Sequence, residues 1–82
     1  MLDTKRGPVT LELVGDLQRH LKKGQAKLVV EIVEGTTIGE LVDRLALRPD
    51  FFGAMVDGQV VTEDHQLESG MSVLLFSPFG GG

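Results

Sequence analysis

Val73-Leu74-Leu75-Phe76-Ser77-Pro78-Phe79-Gly80-Gly81-Gly82 is the stretch from which the fold is read. Four consecutive apolar residues, Val73 to Phe76, suit a strand in the middle of a sheet, buried on both faces. The chain then passes directly into Ser77-Pro78 and a glycine run. Residues 77–82 are therefore expected to form a flexible tail held out from a rigid base. Glycine has no Cβ, so Gly80, Gly81 and Gly82 suit a slot too narrow for other residues. The tail ends in a carboxylate, and the expectation is that this carboxylate is the functional group. The competing reading is a frayed end with no role.

Working outward, the remaining segments supply partners for that strand. Val9-Thr10-Leu11-Glu12-Leu13 alternates apolar and polar, the period of a half-buried strand with Val9, Leu11 and Leu13 facing the core. Asp16 is positioned to cap a short helical turn that sets Leu17 and Leu21 on one face, with Gly24 as its stop. Lys27 to Val33 is rich in β-branched residues and reads as a second strand. Leu28, Val30 and Ile32 share one face of it. Val29 and Val33 flank Glu31 on the other, which predicts partial cover there. Two strands at this spacing pair antiparallel most simply.

Thr37-x-x-Glu40 is a capping box, and Ile38, Leu41, Val42 and Leu45 follow at the spacing of an amphipathic stripe. Arg48-Pro49 is expected to end this helix after about nine to eleven residues, because a residue before proline avoids the helical region. Phe51-Phe52 reads as an apolar plug at the edge of the core. Ala54-Met55-Val56, Asp57-Gly58 and Gln59-Val60-Val61 form a hairpin pattern, with Asp-Gly supplying the positive φ angles of a tight turn. Residues 62–66 read as a polar loop and 67–70 as a turn. Met55 and Met71 are assigned as core filler.

The expected fold class is α+β: a β-grasp, ubiquitin-like, with one main helix packed across one face of a small mixed sheet. The final strand takes the middle, beside the first. The expected organisation is a loose start at 1–8, a β-grasp domain at 9–76 and the tail at 77–82.

Composition narrows the function classes. Eighty-two residues make one small domain with one modest core. There is no cysteine, so the chain has no thiolate of its own to act as nucleophile, redox centre or sulfur donor. No Cys/His metal site is available, and no metal is expected. The net charge of −4 is unevenly spread. Residues 1–27 hold six basic and three acidic side chains, while residues 28–82 hold Arg44 and Arg48 against nine acidic ones. That balance argues against nucleic acid and suits a protein partner with a positive groove. No apolar run approaches a membrane span, and a cytoplasmic location is the expectation. Asp64-His65 has no nucleophile beside it and reads as a solvated loop. Glu31, Glu34, Glu40 and Asp43 complement a helix start rather than bind a metal. Residues 35–39 are not a phosphate loop.

Taken together, the strand-strand-helix-hairpin-strand order, the Thr37-Ile38-Gly39-Glu40-Leu41 helix start, the Val56-Asp57-Gly58 hairpin and the apolar strand running into Pro78-Phe79-Gly80-Gly81-Gly82 resemble the MoaD/ThiS family of ubiquitin-like sulfur carriers. The resemblance covers roughly residues 9–82. It implies a protein cosubstrate rather than an enzyme. Gly82 would be adenylated by a ubiquitin-activating-type adenylyltransferase (MoeB/ThiF-like) that uses ATP, and no cofactor would be bound by the carrier itself. The Gly82 carboxylate would become a thiocarboxylate, with sulfur from a persulfide on a sulfur-donor protein. Gly80, Gly81 and Gly82 would thread the partner's active site. Phe76, Pro78 and Phe79 are the expected partner-binding residues. The acceptor would be the large subunit of molybdopterin synthase in the MoaD branch, which the aromatic and proline content before the glycines favours, or thiazole synthase in the ThiS branch. Phe79 and the third glycine depart from the family pattern. Two further readings stand beside this one: a noncovalent β-grasp interaction module, and a ubiquitin-like modifier joined through Gly82 to target lysines.

Overall fold

The alternation at the start of the chain forms a strand, β1, over Arg6–Val14, with Val9, Leu11 and Leu13 at most 1% exposed. These details come from a computed structural model that describes residues 5–25 and 27–77. β1 begins earlier than the alternation suggests, so residues 6–8 of the segment read as a loose start are paired with β2 (Lys27–Val33). Pro8 is tolerated there for a geometric reason. The nitrogen and carbonyl of a strand residue point to the same side, and the Pro8 carbonyl accepts from Gly70 N–H at 2.7 Å. Its missing N–H therefore faces away from β2, where no ladder bond is lost.

β1 and β2 pair antiparallel, as expected. β3 (Gly53–Val56) and β4 (Gln59–Val61) form the hairpin around Asp57 (φ 53°) and Gly58 (φ 78°). Two successive positive φ angles define the turn whose twist matches that of paired strands. β5 (Ser72–Phe76) lies parallel to β1 and antiparallel to β3, which gives the sheet order β2-β1-β5-β3-β4. The final strand is thus central and beside the first. It is not buried on both faces: Val73 and Leu75 are in the core, while Leu74 and Phe76 are only half covered on the face away from the helix. A single helical layer leaves that outer face open. For the same reason Val29 is 63% exposed, so the partial cover expected on that face of β2 is present at Val33 and absent at Val29.

The helix, α1, spans Ile38–Arg44 and buries Ile38, Leu41 and Val42. Its capping box forms as read: Thr37 Oγ1 accepts from Glu40 N–H at 3.2 Å, and Glu40 Oε1 accepts from Thr37 N–H at 3.0 Å. The loop after β4 completes this end. The carbonyls of His65 and Glu63 accept from Ile38 N–H and Gly39 N–H, at 3.1 and 2.8 Å. The helix is shorter than expected, and Pro49 does not end it. Ala46 adopts φ 59°, with Ala46 N–H bonded to Asp43 O and Leu47 N–H bonded to Val42 O. This is a Schellman ending with alanine in the left-handed position that usually carries glycine. It turns Leu47 into the core at 1% exposure.

The segment after β1 is a 3-10 turn, Gly15–His20, that buries Leu17. Asp16 is not its cap; the preceding residue, Val14, makes no side-chain bond there. A second 3-10 turn, Arg48–Asp50, follows Leu47. Of the aromatic pair, Phe51 packs against the core, whereas Phe52 is 67% exposed. Met71 also packs against the core. Met55 lies instead on the outer face, in register with Leu74 and Val60. Leu67, in the segment read only as a turn, is fully buried. Among the described residues no helix is long and apolar enough to cross a membrane.

Candidate functional site

The proposed reactive end and its neighbours, Pro78, Phe79, Gly80, Gly81 and Gly82, lie outside the described residues. What the structure describes is the root from which they leave. Alternation along β5 turns Val73, Leu75 and Ser77 inward and Leu74 and Phe76 outward. Ser77 is 4% exposed, and its Oγ accepts from Asp16 N–H at 3.0 Å. It therefore belongs to the body, not to the tail that was read as starting at 77. A serine at the inward parity, directly after two inward apolar residues, is the signal that marks it.

Phe76 is held from the opposite side. Its carbonyl accepts from Phe52 N–H at 2.9 Å, and its ring meets the Phe52 ring with centroids 5.9 Å apart. The ring also covers Gly53, where an added Cβ would come within 2.5 Å of Phe76 Cζ. Two neighbouring residues, Phe76 and Ser77, are thus tied to the segment that follows the second 3-10 turn and to the first 3-10 turn itself.

Those segments are joined by a cluster that the residue pattern did not reveal. Asp50, 8% exposed, receives Arg19 Nε at 2.9 Å on Oδ2 and Arg19 Nη2 at 2.6 Å on Oδ1. His20 Nε2 lies 2.9 Å from the same Oδ2. The His20 hydrogen bond, with help from Arg19 and against the opposing effect of burial, holds the Asp50 carboxyl below the usual carboxylate range. Nothing local in the sequence marks this group, because its members are 30 and 31 residues apart.

Beside the root, the open face of the sheet carries an apolar surface. Leu74, Met55 and Phe76 are half-buried, and Val60 is 70% exposed. A groove of about 400 Å³, lined mainly by apolar residues such as Phe51, Phe52, Val60 and Phe76 with Thr62 and Glu63 at its polar part, opens next to the last residue of β5. An exposed apolar area beside a chain end suits partner contact. The charge asymmetry along the sequence does not survive folding in simple form. Lys22 and Lys23 share a groove with Leu13 and Val14 at the end of β1, the strand end adjacent to the tail root.

Five further acidic groups have structural partners. Glu40 closes the capping box, Asp43 and Glu63 both pair with Arg48 at 2.9 and 2.7 Å, and Glu31 lies 3.8 Å from Arg6. Asp64 accepts from the Thr62 hydroxyl. Among the described residues no group of three His, Cys, Asp or Glu side chains is arranged to hold a metal. The described residues contain no assembled catalytic group; they contain a braced exit for a chain end, next to an apolar face.

Comparison with solved structures supports the architecture. Small archaeal modifier protein 1 from Haloferax volcanii matches with TM-score 0.69 and 17% identity, covering 88% of this chain and 98% of that one. A putative molybdopterin converting factor, subunit 1, from Pyrococcus furiosus matches with TM-score 0.69 and 20% identity, over the same shares. A Haloferax volcanii protein known from its solution structure matches with TM-score 0.75 and 17% identity, covering 100% of this chain and 92% of that one. At these identities the likeness establishes the β-grasp fold. No curated protein sequence matches significantly. The sequence model of the ThiS family, however, matches residues 13–82, which takes in most of the sheet, the helix, the braced root and the glycine end. Fold, root and family match agree, and the chain belongs to the ThiS family of ubiquitin-like, sulfur-carrier-type proteins.

Proposed function

We propose that the protein is a sulfur carrier whose reactive group is the Gly82 carboxylate. The observation that supports this reading is the family match, which runs from residue 13 through residue 82 and so includes the glycine end. The chemistry requires little of the body. A carboxylate oxygen attacks the α-phosphorus of ATP in the active site of an adenylyltransferase of the ubiquitin-activating type, and pyrophosphate leaves. The terminal sulfur of a persulfide on a donor protein then attacks the acyl carbon and AMP leaves, giving an acyl disulfide. A thiol of the donor protein cleaves its S–S bond, releasing the thiocarboxylate and ending as a disulfide. With no cysteine in the chain, the carrier cannot divert that sulfur to a side chain of its own.

In this reading the body is gripped and the tail reacts. The apolar face around Phe76, Val60 and Met55 is the docking surface, Pro78 and Phe79 extend it, and Gly80, Gly81 and Gly82 enter the active site. The acceptor is the large subunit of a molybdopterin synthase, for which this chain is the small subunit; thiazole synthase is the alternative within the same family. The protein is a cosubstrate, not an enzyme. Incubation with a matched adenylyltransferase, ATP and a sulfur source is expected to add the mass of one oxygen-to-sulfur exchange at Gly82, read by intact-protein mass spectrometry. An unmodified chain in a matched system would sink the reading.

A second use of the same end is conjugation as a protein modifier. The fold is equally close to a modifier and to a molybdopterin converting factor, TM-score 0.69 in each case, so the body does not separate the two. Amide-linked adducts of Gly82 on lysine in cell extracts would favour conjugation.

A further inference from the structure

We propose that Arg19, His20 and Asp50 form a brace that fixes Phe76 and Ser77, the root of the tail, so that all three are positioning residues for the reactive end. The argument is one of connectivity. Beyond the sheet pairing of Phe76 with Val14 and Gly53, the root is held at two adjacent residues by two different elements: Ser77 Oγ by Asp16 N–H from the first 3-10 turn, and Phe76 O by Phe52 N–H from the segment after the second. Each is a single hydrogen bond, and neither turn is long enough to be rigid alone. Asp50 ends the second turn, two residues before Phe52, and Arg19 and His20 end the first, three and four residues after Asp16.

The carboxylate therefore joins the two arms of the clamp close to where each grips. Its geometry suits that task. The guanidinium binds both carboxylate oxygens and the imidazole takes one of them a second time, so rotation of the Asp50 side chain is blocked. A buried ionic group contributes little net stability compared with an apolar replacement, so its value here is the fixed geometry. The Asp50 side chain is 10% exposed and that of Arg19 67%, so the joint can be altered from its solvent side without emptying the core.

Only the functional consequence rests on the sulfur-carrier reading; the brace itself does not. The direct test is amide hydrogen exchange by NMR on the full chain, comparing the parent with Arg19→Lys, which replaces the two-pronged contact by a point charge, and with His20→Gln. The amides of Asp16 and Phe52 are expected to exchange roughly tenfold faster in each variant, while those of the β1–β2 ladder keep their rates. Unchanged rates at both amides would overturn the proposal. So would an equal acceleration of every amide, or loss of the fold in both variants, since either would make the cluster a general stability element. In the adenylation assay the same variants are expected to lower kcat and leave KM for the carrier unchanged, because the docking face is untouched. If the parent itself is not adenylated, the sulfur-carrier reading fails while the exchange data still decide the brace.

Discussion

Gly53 sits where the outer face of the sheet meets the tail root, and replacing it with alanine tests how tightly Phe76 is placed. The backbone permits the change, because Gly53 is not among the residues with positive φ. The obstacle is the Phe76 ring: the new Cβ would stand 2.5, 3.0 and 3.2 Å from three of its carbons. Carbon atoms in contact prefer about 3.5–4.0 Å, so the ring must shift by roughly 1 Å. Overpacking of this kind costs about 1–3 kcal/mol. The ring also moves relative to Phe52, and an aromatic pair is worth about 0.5–1.5 kcal/mol. Against this, alanine lowers the entropy of the unfolded chain and returns about 0.4–1 kcal/mol. The ring lies on the open face and has room to tilt, which places the strain toward the low end. The expected net effect is a destabilisation of about 1–2 kcal/mol, or a fall in Tm of roughly 4–16 °C for a domain of this size. Urea or thermal denaturation of the full chain measures it. A double-mutant cycle with Phe76→Leu isolates the contact: the cost of Gly53→Ala should drop by about 1 kcal/mol once the ring is gone. If Gly53→Ala is neutral or stabilising in the parent and shows no coupling to position 76, the close placement of Phe76 over Gly53 is wrong.

Three other outcomes are expected. Ala46→Gly should stabilise the protein by about 1 kcal/mol, because an exposed alanine now occupies the left-handed end of α1; an unchanged or lower urea midpoint would contradict the Schellman ending. Asp50 has a folded-state pKa below its ordinary 3.8, so the stability it contributes is complete above that value and is lost as the pH falls through the depressed one. Urea midpoints measured between about pH 5 and pH 2 should therefore fall more steeply in the parent than in Asp50→Asn, and parallel profiles would remove Asp50 from the acid response. Deleting Gly82 should abolish the oxygen-to-sulfur mass gain while leaving Tm unchanged; persistent modification of the shortened chain would show that the reactive group lies elsewhere.

Much of the molecule was legible from local pattern. The alternation in β1, the Thr37–Glu40 capping box and the Asp57-Gly58 turn each encode their element within a few residues, and each forms as read. The place of β5 beside β1 followed from the order of the elements and the apolar content of Val73–Phe76. Errors arose where a local cue competed with a distant contact. Pro49 was read as the helix stop, but burial of Leu47 favours an earlier turn at Ala46, a residue with no sequence signature for that conformation. Gly7-Pro8 has the pattern of a break, yet the proline nitrogen faces the side on which β5 pairs with β1 only from Thr10 onward. Ser77 has the local pattern of a tail, followed by proline and glycines, but the bond that holds it comes from Asp16, 61 residues away.

By itself, then, the sequence determined the elements, the order in which they build a β-grasp, and a glycine end whose carboxylate is the candidate reactive group. Periodicity and capping act over one or two turns of chain, and such information is complete in a short window. Tertiary structure alone decided which face of the sheet stays open, that the Ser77 hydroxyl accepts from Asp16 N–H, and that Asp50 draws Arg19 and His20 together. These depend on chain closure: a buried carboxylate must find its donors among whatever groups the fold brings near, and their separation along the chain carries no pattern.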